Sequence, residues 1–555
     1  MTSTSTNSAA GEFRRIVSSA SAGSAADSLV ARGMGAGVLI GVMLLGTVAA
    51  AGLTRVSGDG WMAMIFWTMG LWSLWVLWRN ARDEVDVPVH VLYPFLAAPG
   101  VILLGHLVAG GRADAGNGRI DLLANGDTSL LIRLITLGLM LLLVQDTFSR
   151  IRELRWLLTG LGATVAAGCV LQLHSGATVP GAPAVAMSGF AGVGILLAPC
   201  LLPAWPAEPS GAYLPARWEK ATLAGRIAAA ALLAALLIFS DHGIPAAALA
   251  TAAVGGSFLL SGAFLKHHRR TLLPAGAILS AGGAVAVVRL RSALPALNWQ
   301  TTLFGANIQD GFTAHPDVAG LRMLGMSTGW VGMVLVPAGM LAALVWSLRA
   351  CRSASPGDQA RSALWAAVAA LGGCALLTEG GLAVPAATAV AALAWGLLPH
   401  MMVHPVRRCH GRGVAFVFVG AMMLLGLQRR LAGSQGLSPN SGPGQEMMHL
   451  LAGFALTAAL LWQGRCRRWW QGLTAAVLAA GLAVLAEPLQ WGLSNRQFEW
   501  RDVSWNVAGV AGALGAFLLI RWAFRIEQVL AARPAISFEK YQGPGGLVGP
   551  RRWSR

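Results

Sequence analysis

The sequence predicts an all-α, polytopic integral membrane protein of about 16 transmembrane helices, with both termini on the cytoplasmic side and a C-terminal four-helix module. Three observations carry this expectation. First, 55% of the 555 residues are hydrophobic and only 12% are charged, about half the charged share of an average globular chain. Mean hydropathy is +0.61. A soluble chain of this length divides into several domains, each needing a polar surface, and there are too few polar residues to supply them. Second, apolar runs of about 20 residues, the length that crosses a hydrocarbon core, recur along the chain. Third, the 69 glycines and the Ala-rich runs suit close helix packing in lipid. A soluble enzyme, a disordered chain and a disulfide scaffold are excluded.

Residues 1–33 are polar and rich in Ser and Ala, which predicts a disordered cytoplasmic tail. They do not form a cleavable signal, because a long polar stretch precedes the first apolar run. Residues 34–405 hold twelve apolar runs. These centre near Met43, Met69, Ala98, Gly138, Thr164, Gly194, Ala231, Ala252, Ser280, Val336, Ala370 and Ala391. The weakest boundary is the short Ser240-Asp-His-Gly connection. Residues 406–526 hold four more, near Phe418, Leu456, Val477 and Gly512. Residues 527–555 form a basic cytoplasmic tail able to touch anionic headgroups.

The formal net charge is +17. With sixteen spans, 29 of the 41 cationic residues fall in segments on one face, 10 fall on the other, and Arg133 and Arg226 lie within spans. Cytoplasmic loops collect Lys and Arg, so the bias sets the orientation and the parity of the count in the plasma (inner) membrane. No nucleic-acid-binding motif accompanies the charge, and nucleic acid is not an expected partner; membrane lipids are. The six cysteines, Cys169, Cys200, Cys351, Cys374, Cys409 and Cys466, form no C-x-x-C and occupy no predicted outside loop. They read as small apolar residues or reduced thiols. No disulfide, metal site or cofactor is expected. Lys266-His-His-Arg-Arg270 reads as a headgroup anchor.

The informative region is 412–525. His449 opens one span. Glu487 and Gln490 end the next. Arg496 lies in the following loop, and Asp502 and Asn506 open the last span, ahead of Gly509, Gly512 and Gly515. The topology puts all six polar residues at the outer face. Glu487 and Gln490 share a helix face, as do Asp502 and Asn506. The glycines allow close approach to a neighbouring helix. Ionisable groups at membrane depth are costly and face a bundle interior or a wet cavity. Such a set can bind a polar headgroup, phosphate or sugar, or relay protons. Two structural readings stand beside this: Glu487 pairing with Arg496 to close the bundle, and Asp502 and Asn506 as helix caps.

The order His449, Glu487-Pro-Leu-Gln490, Arg496, Asp502-Val-Ser-Trp-Asn506-Val-Ala-Gly509 resembles the VanZ-like family. The resemblance covers about a fifth of the chain. It implies a multi-pass envelope protein, associated in some members with glycopeptide-antibiotic resistance, and no defined enzyme activity. One position departs from the pattern: Gln445 and Glu446 stand where family members carry an Asp-Lys pair.

The twelve N-terminal spans faintly resemble the O-antigen ligase and polymerase family, whose members are glycosyltransferases acting on lipid-linked sugars. Ser240-Asp-His-Gly stands in the place of a Ser-Arg-Gly-Ala run, and His315-Pro in that of a His-Asn. The resemblance implies His315 as a catalytic base, with Arg289, Arg291 and Arg322 gripping a diphosphate. A transporter, the remaining alternative, calls for broken helices and matched halves at the midplane, and no such pair is visible. Neither a redox role nor an oligomeric state follows from the sequence.

Overall fold

The computed structural model describes residues 57–81, 86–88, 125–148, 154–175, 181–201, 216–289, 320–378, 380–398, 408–410, 443–494 and 498–532. Among these residues there are thirteen α-helices. They are α1 (Ser57–Ala81), α2 (Asn125–Phe148), α3 (Leu154–His174), α4 (Ala182–Leu201), α5 (Ala216–Ile238), α6 (Gly243–Phe264), α7 (Arg269–Arg289), α8 (Gly320–Ala350), α9 (Pro356–Leu377), α10 (Pro385–Gly396), α11 (Pro443–Gln463), α12 (Trp469–Ser494) and α13 (Trp500–Ala532). Each contains one of the predicted span centres. The centres at Met43, Ala98 and Phe418 lie outside the described residues, as do the tails 1–33 and 533–555.

Six helical segments are long and apolar enough to cross a membrane: Gly243–Phe264, Arg269–Arg289, Val331–Ser353, Pro356–Leu377, Trp469–Pro488 and Trp500–Ile526. Helix α10 is 12 residues long, about 18 Å of helix, and every residue in it is buried. One departure from the all-helical expectation is a short antiparallel pair, β1 (Asp86–Pro88) with β2 (Arg408–His410), in which Val87 opposes Cys409.

Local sequence explains the helix ends. Ser355 caps α9 by accepting from the Asp358 backbone N–H at 3.2 Å, with Pro356 and Asp358 in the first turn. All three residue types favour a helix start. After α9 the chain reverses through Gly380, whose φ of 74° suits glycine best. Pro385 then opens α10. The short Ser240-Asp-His-Gly connection is a tight turn in which the Gly243 N–H donates to the Ser240 carbonyl at 2.9 Å.

Small residues bring the helices together. A Cβ on Gly162 of α3 would overlap the Leu196 backbone of α4, and one on Gly283 of α7 would overlap the Ala252 backbone of α6. The hydrophobic core runs through α1 to α6, α8 to α10 and into α11, α12 and α13 without a break. Trp365 sits within it and donates to the Ala394 carbonyl at 2.9 Å, tying α9 to α10.

Helix α1 packs against α11 and α13, across the 405/406 boundary drawn from the sequence. Trp75 and Trp462 meet edge to face, with ring centroids 5.8 Å apart. Loops that the charge count assigns to one face also meet. His268 Nε2 lies 2.8 Å from the Pro356 carbonyl oxygen, and the Cys466 carbonyl accepts from Asn80 and Arg521. At the other end Arg133, within α2, donates to the Leu382 carbonyl at 3.1 Å.

Candidate functional site

The site is built where α11 and α13 begin and α12 ends. These three helices alternate in direction, so residues far apart in sequence share one end of the bundle. Helices α11 and α13 cross at backbone contact. A Cβ on Gly509 would overlap the Leu450 carbonyl oxygen, and one on Gly453 would overlap that of Asn506. Close approach was expected of the Gly509 series, and the structure sorts it. Gly509 makes the crossing, Gly512 lies beside the Phe454 ring, and Gly515 meets nothing within 4 Å.

This crossing sets His449 of α11 against Asp502 of α13, with Nε2 to Oδ2 at 3.1 Å. Glu487 of α12 completes the group: one ligand atom from each of the three residues lies within 4.8 Å of the others. Glu487 and Asp502 are buried, at 1% and 2% exposure, and His449 is part-buried. Pro488 follows Glu487 inside α12 and removes one backbone donor from the ladder there. Asn506 is buried one turn further along α13. Asp502 is not the cap of α13, which starts at Trp500; its side chain turns to His449 instead.

An ion pair joins the same two helices at the rim: Arg501 holds the Glu446 carboxylate. Glu446 is thus charge-paired across the two helices, with the acid on α11 and the cation on α13. The pairing was not read from the sequence. Its only signal is that each partner lies close before a cluster residue, Glu446 three positions ahead of His449 and Arg501 one ahead of Asp502.

The opposite end of this bundle is basic. Arg465, Arg467 and Arg468 form the α11–α12 turn, and Arg521 donates to the Cys466 carbonyl at 2.8 Å. From Asp502 to Arg521 is 19 residues, about 28 Å of helix, close to a hydrocarbon thickness of about 30 Å. Burial pushes the Cys466 thiol above its usual range, and Arg521 offsets part of that. Helix α1 docks at this end, where the Arg79 guanidinium stacks 5.1 Å above the Trp75 ring.

Of the residues expected at the site, the structure unites His449, Glu487 and Asp502, with Asn506 beside them. Gln490 follows Glu487 by three positions on α12, but its side chain, like all of Arg496, lies outside the described residues. Of the ligase-like set, Arg289 is exposed at the end of α7. Arg291, His315 and the side chain of Arg322 lie outside the described residues. No family model, curated protein or solved structure matches the chain.

Proposed function

We propose that this is a VanZ-like multi-pass protein of the bacterial plasma membrane whose last three helices bind the hydroxyl-rich headgroup of an outer-leaflet lipid. The His449–Asp502–Glu487 cluster carries the reading. Two buried carboxylates and an imidazole offer several acceptors in a small volume, and a carboxylate forms the stronger class of hydrogen bond to a hydroxyl donor. A lipid headgroup presents vicinal hydroxyls at the depth where a helix begins. Buried ionisable groups near membrane depth mark function more often than they mark stability.

The outer-face assignment rests on charge. The bundle end opposite the cluster carries Arg465, Arg467, Arg468 and Arg521, and such residues stay on the cytoplasmic side.

Vicinal hydroxyls occur on phosphatidylglycerol and on glycolipids alike. The test is native mass spectrometry of the full chain in detergent with phosphatidylglycerol, a monoglucosyl diacylglycerol or phosphatidylcholine. One or both hydroxyl-rich lipids are expected to be retained over phosphatidylcholine. Asp502→Asn is expected to weaken that retention about tenfold, the value of roughly one charged hydrogen bond. Equal retention of all three lipids by the wild type and the variant would overturn the reading.

A further inference from the structure

We infer that the basic end of the C-terminal bundle is a site for an anionic phospholipid. Arg465, Arg468 and Arg525 hold the phosphate, and Trp469, Trp470 and Trp522 flank the glycerol backbone. The inference stands apart from the headgroup reading, because the length of α13 separates this end from the His449–Asp502–Glu487 cluster. Three observations lead to it.

The first is charge of one sign gathered from two places in the chain. Three of the four residues 465–468 are arginines, and no acid occurs between Glu446 and Glu487. Helix α13 has none between Asp502 and Glu527. Arg465, Arg468 and Arg525 are all exposed. Arg521 donates to the Cys466 carbonyl at 2.8 Å, which sets the end of α13 against the α11–α12 turn. Arg525 follows Arg521 by about one helical turn. Like charges brought together repel, and a phosphate relieves that repulsion. The guanidinium is also the side chain that grips a phosphate bidentately.

The second is the turn itself, which is held in place. The Cys466 carbonyl accepts from Asn80 of α1 as well as from Arg521. Gln471 Oε1 accepts from the backbone N–H groups of Arg467 and Arg468 at 2.8 and 2.9 Å. Those backbone donors are occupied, so an anion here is bound by side chains and not by the start of α12. Arg465 closes α11 with a φ of 47°. Glycine adopts that left-handed conformation freely, and any other residue adopts it at a cost. Among the described residues Arg465 alone does so without being glycine. Its side chain is exposed, so packing does not explain an arginine there. A charge needed at that point does.

The third selects a lipid over a free phosphate. Trp469 and Trp470 open α12, Trp522 follows Arg521, and all three are exposed. Indoles settle at headgroup level, and arginines beside them face the phosphates of anionic lipids. Toward the middle of the bundle Leu473 and Val477 of α12 and Leu518 and Leu519 of α13 are exposed as well. An apolar wall suited to acyl chains therefore continues directly from the arginines.

The test is native mass spectrometry of the full chain in detergent with dioleoyl phosphatidic acid or phosphatidylcholine. Phosphatidic acid carries the phosphate without vicinal hydroxyls, which keeps the result separate from that of the headgroup test. It is expected to be retained over phosphatidylcholine, and to stay bound in excess inorganic phosphate. Arg465→Gln, Arg468→Gln and Arg525→Gln are each expected to weaken retention about fivefold, and the three together about 100-fold, from the attraction of single arginines to an anionic surface. Lys266→Gln, Arg269→Gln and Arg270→Gln combined remove the same charge from the α6–α7 connection and are expected to leave retention unchanged. Arg465→Gly separates binding from folding. Its retention is expected to fall about fivefold, while its thermal midpoint holds or rises because glycine relieves the left-handed position. Asp502→Asn is expected to keep phosphatidic acid. Size-exclusion profiles identify any variant that fails to fold. Equal retention of the two lipids by the wild type, displacement by inorganic phosphate, equal losses in the two triple variants, or loss in folded Asp502→Asn would each overturn the site.

Discussion

Helices α9 and α10 and helices α11 to α13 bury their residues in opposite ways. Two thirds of the α9 span, 67%, is inside the protein, against 28% for α12 and 28% for α13. Around α9 and α10 the interior is almost wholly apolar, and Trp365 finds a carbonyl partner in Ala394. In the C-terminal bundle the sides are open: Leu473, Val477, Leu485, Leu519 and Trp522 are exposed. Yet that thin bundle holds the buried Glu487, Asp502 and Asn506 at one end. The difference teaches where to look for function. A thick apolar core can hold a polar group cheaply only if it is satisfied. A thin bundle that gathers carboxylates at one end gains little packing from them, and that makes this end the candidate site.

The comparison yields predictions of decreasing size. Trp365→Ala in the thick core removes a side chain at 1% exposure and is expected to cost about 3–5 kcal/mol, read as a lower midpoint of thermal unfolding in detergent. A cost below 1 kcal/mol would mean that this region is less tightly packed than it looks. Gly509→Val at the α11–α13 crossing puts side-chain atoms onto the Leu450 carbonyl. Its expected cost is about 1–3 kcal/mol, together with loss of the lipid retention expected of the cluster. Gly515→Ala, with open space at its Cβ, is expected instead to gain up to about 1 kcal/mol from helix propensity. Equal effects at the two glycines would show that the close crossing is not what assembles the site.

Ser355→Ala removes the cap of α9 and is expected to cost about 1 kcal/mol, measured in the same melt. Smallest is Arg501→Gln. The guanidinium is largely exposed, at 72%, and such pairs contribute about 0–1 kcal/mol, so the melt is expected to stay nearly unchanged. A large loss would move Arg501 from the rim into the working site.

Two labelling experiments sharpen the contrast between the bundle's ends. In a cysteine-free background, Ser494→Cys near the cluster is expected to react with an impermeant maleimide in intact cells, as is Thr313→Cys, which lies between α7 and α8 in sequence. Reaction at Ser494→Cys only after lysis would invert the orientation. Cys466, at the basic end, is expected to stay slow toward maleimide at neutral pH in purified protein. Burial raises its thiol, so the reactive thiolate appears only as pH climbs above the ordinary thiol range. Fast labelling at neutral pH would mean that the α11–α12 turn opens.

Much of this was legible in the chain. Hydropathy marks the helices because a segment that crosses lipid must be apolar along its length regardless of what it packs against, and six of the described segments are long and apolar enough to do so. The polar residues of the last two spans stand out because almost nothing else there is polar. Other features were not legible. Asp502 as a cap and Asp502 as a partner of His449 predict the same residue at the same position, and only the crossing of α11 and α13 separates them. The Arg501–Glu446 pair joins residues 55 positions apart, and the bond from Asn80 to the Cys466 carbonyl joins residues 386 apart.

The sequence by itself determined the class of protein, the places of the described helices and the small set of residues at which chemistry is affordable. These depend on local composition, which adds up along the chain residue by residue. Tertiary structure alone decided that α1 closes the C-terminal bundle, that Gly453 and Gly509 bring α11 and α13 to backbone contact, and that an imidazole and two carboxylates from three helices meet within 4.8 Å. In lipid every helix face is apolar enough to meet any other, so hydropathy cannot choose between partners. That choice falls to the fit of small residues against backbone, which exists only once the helices are side by side.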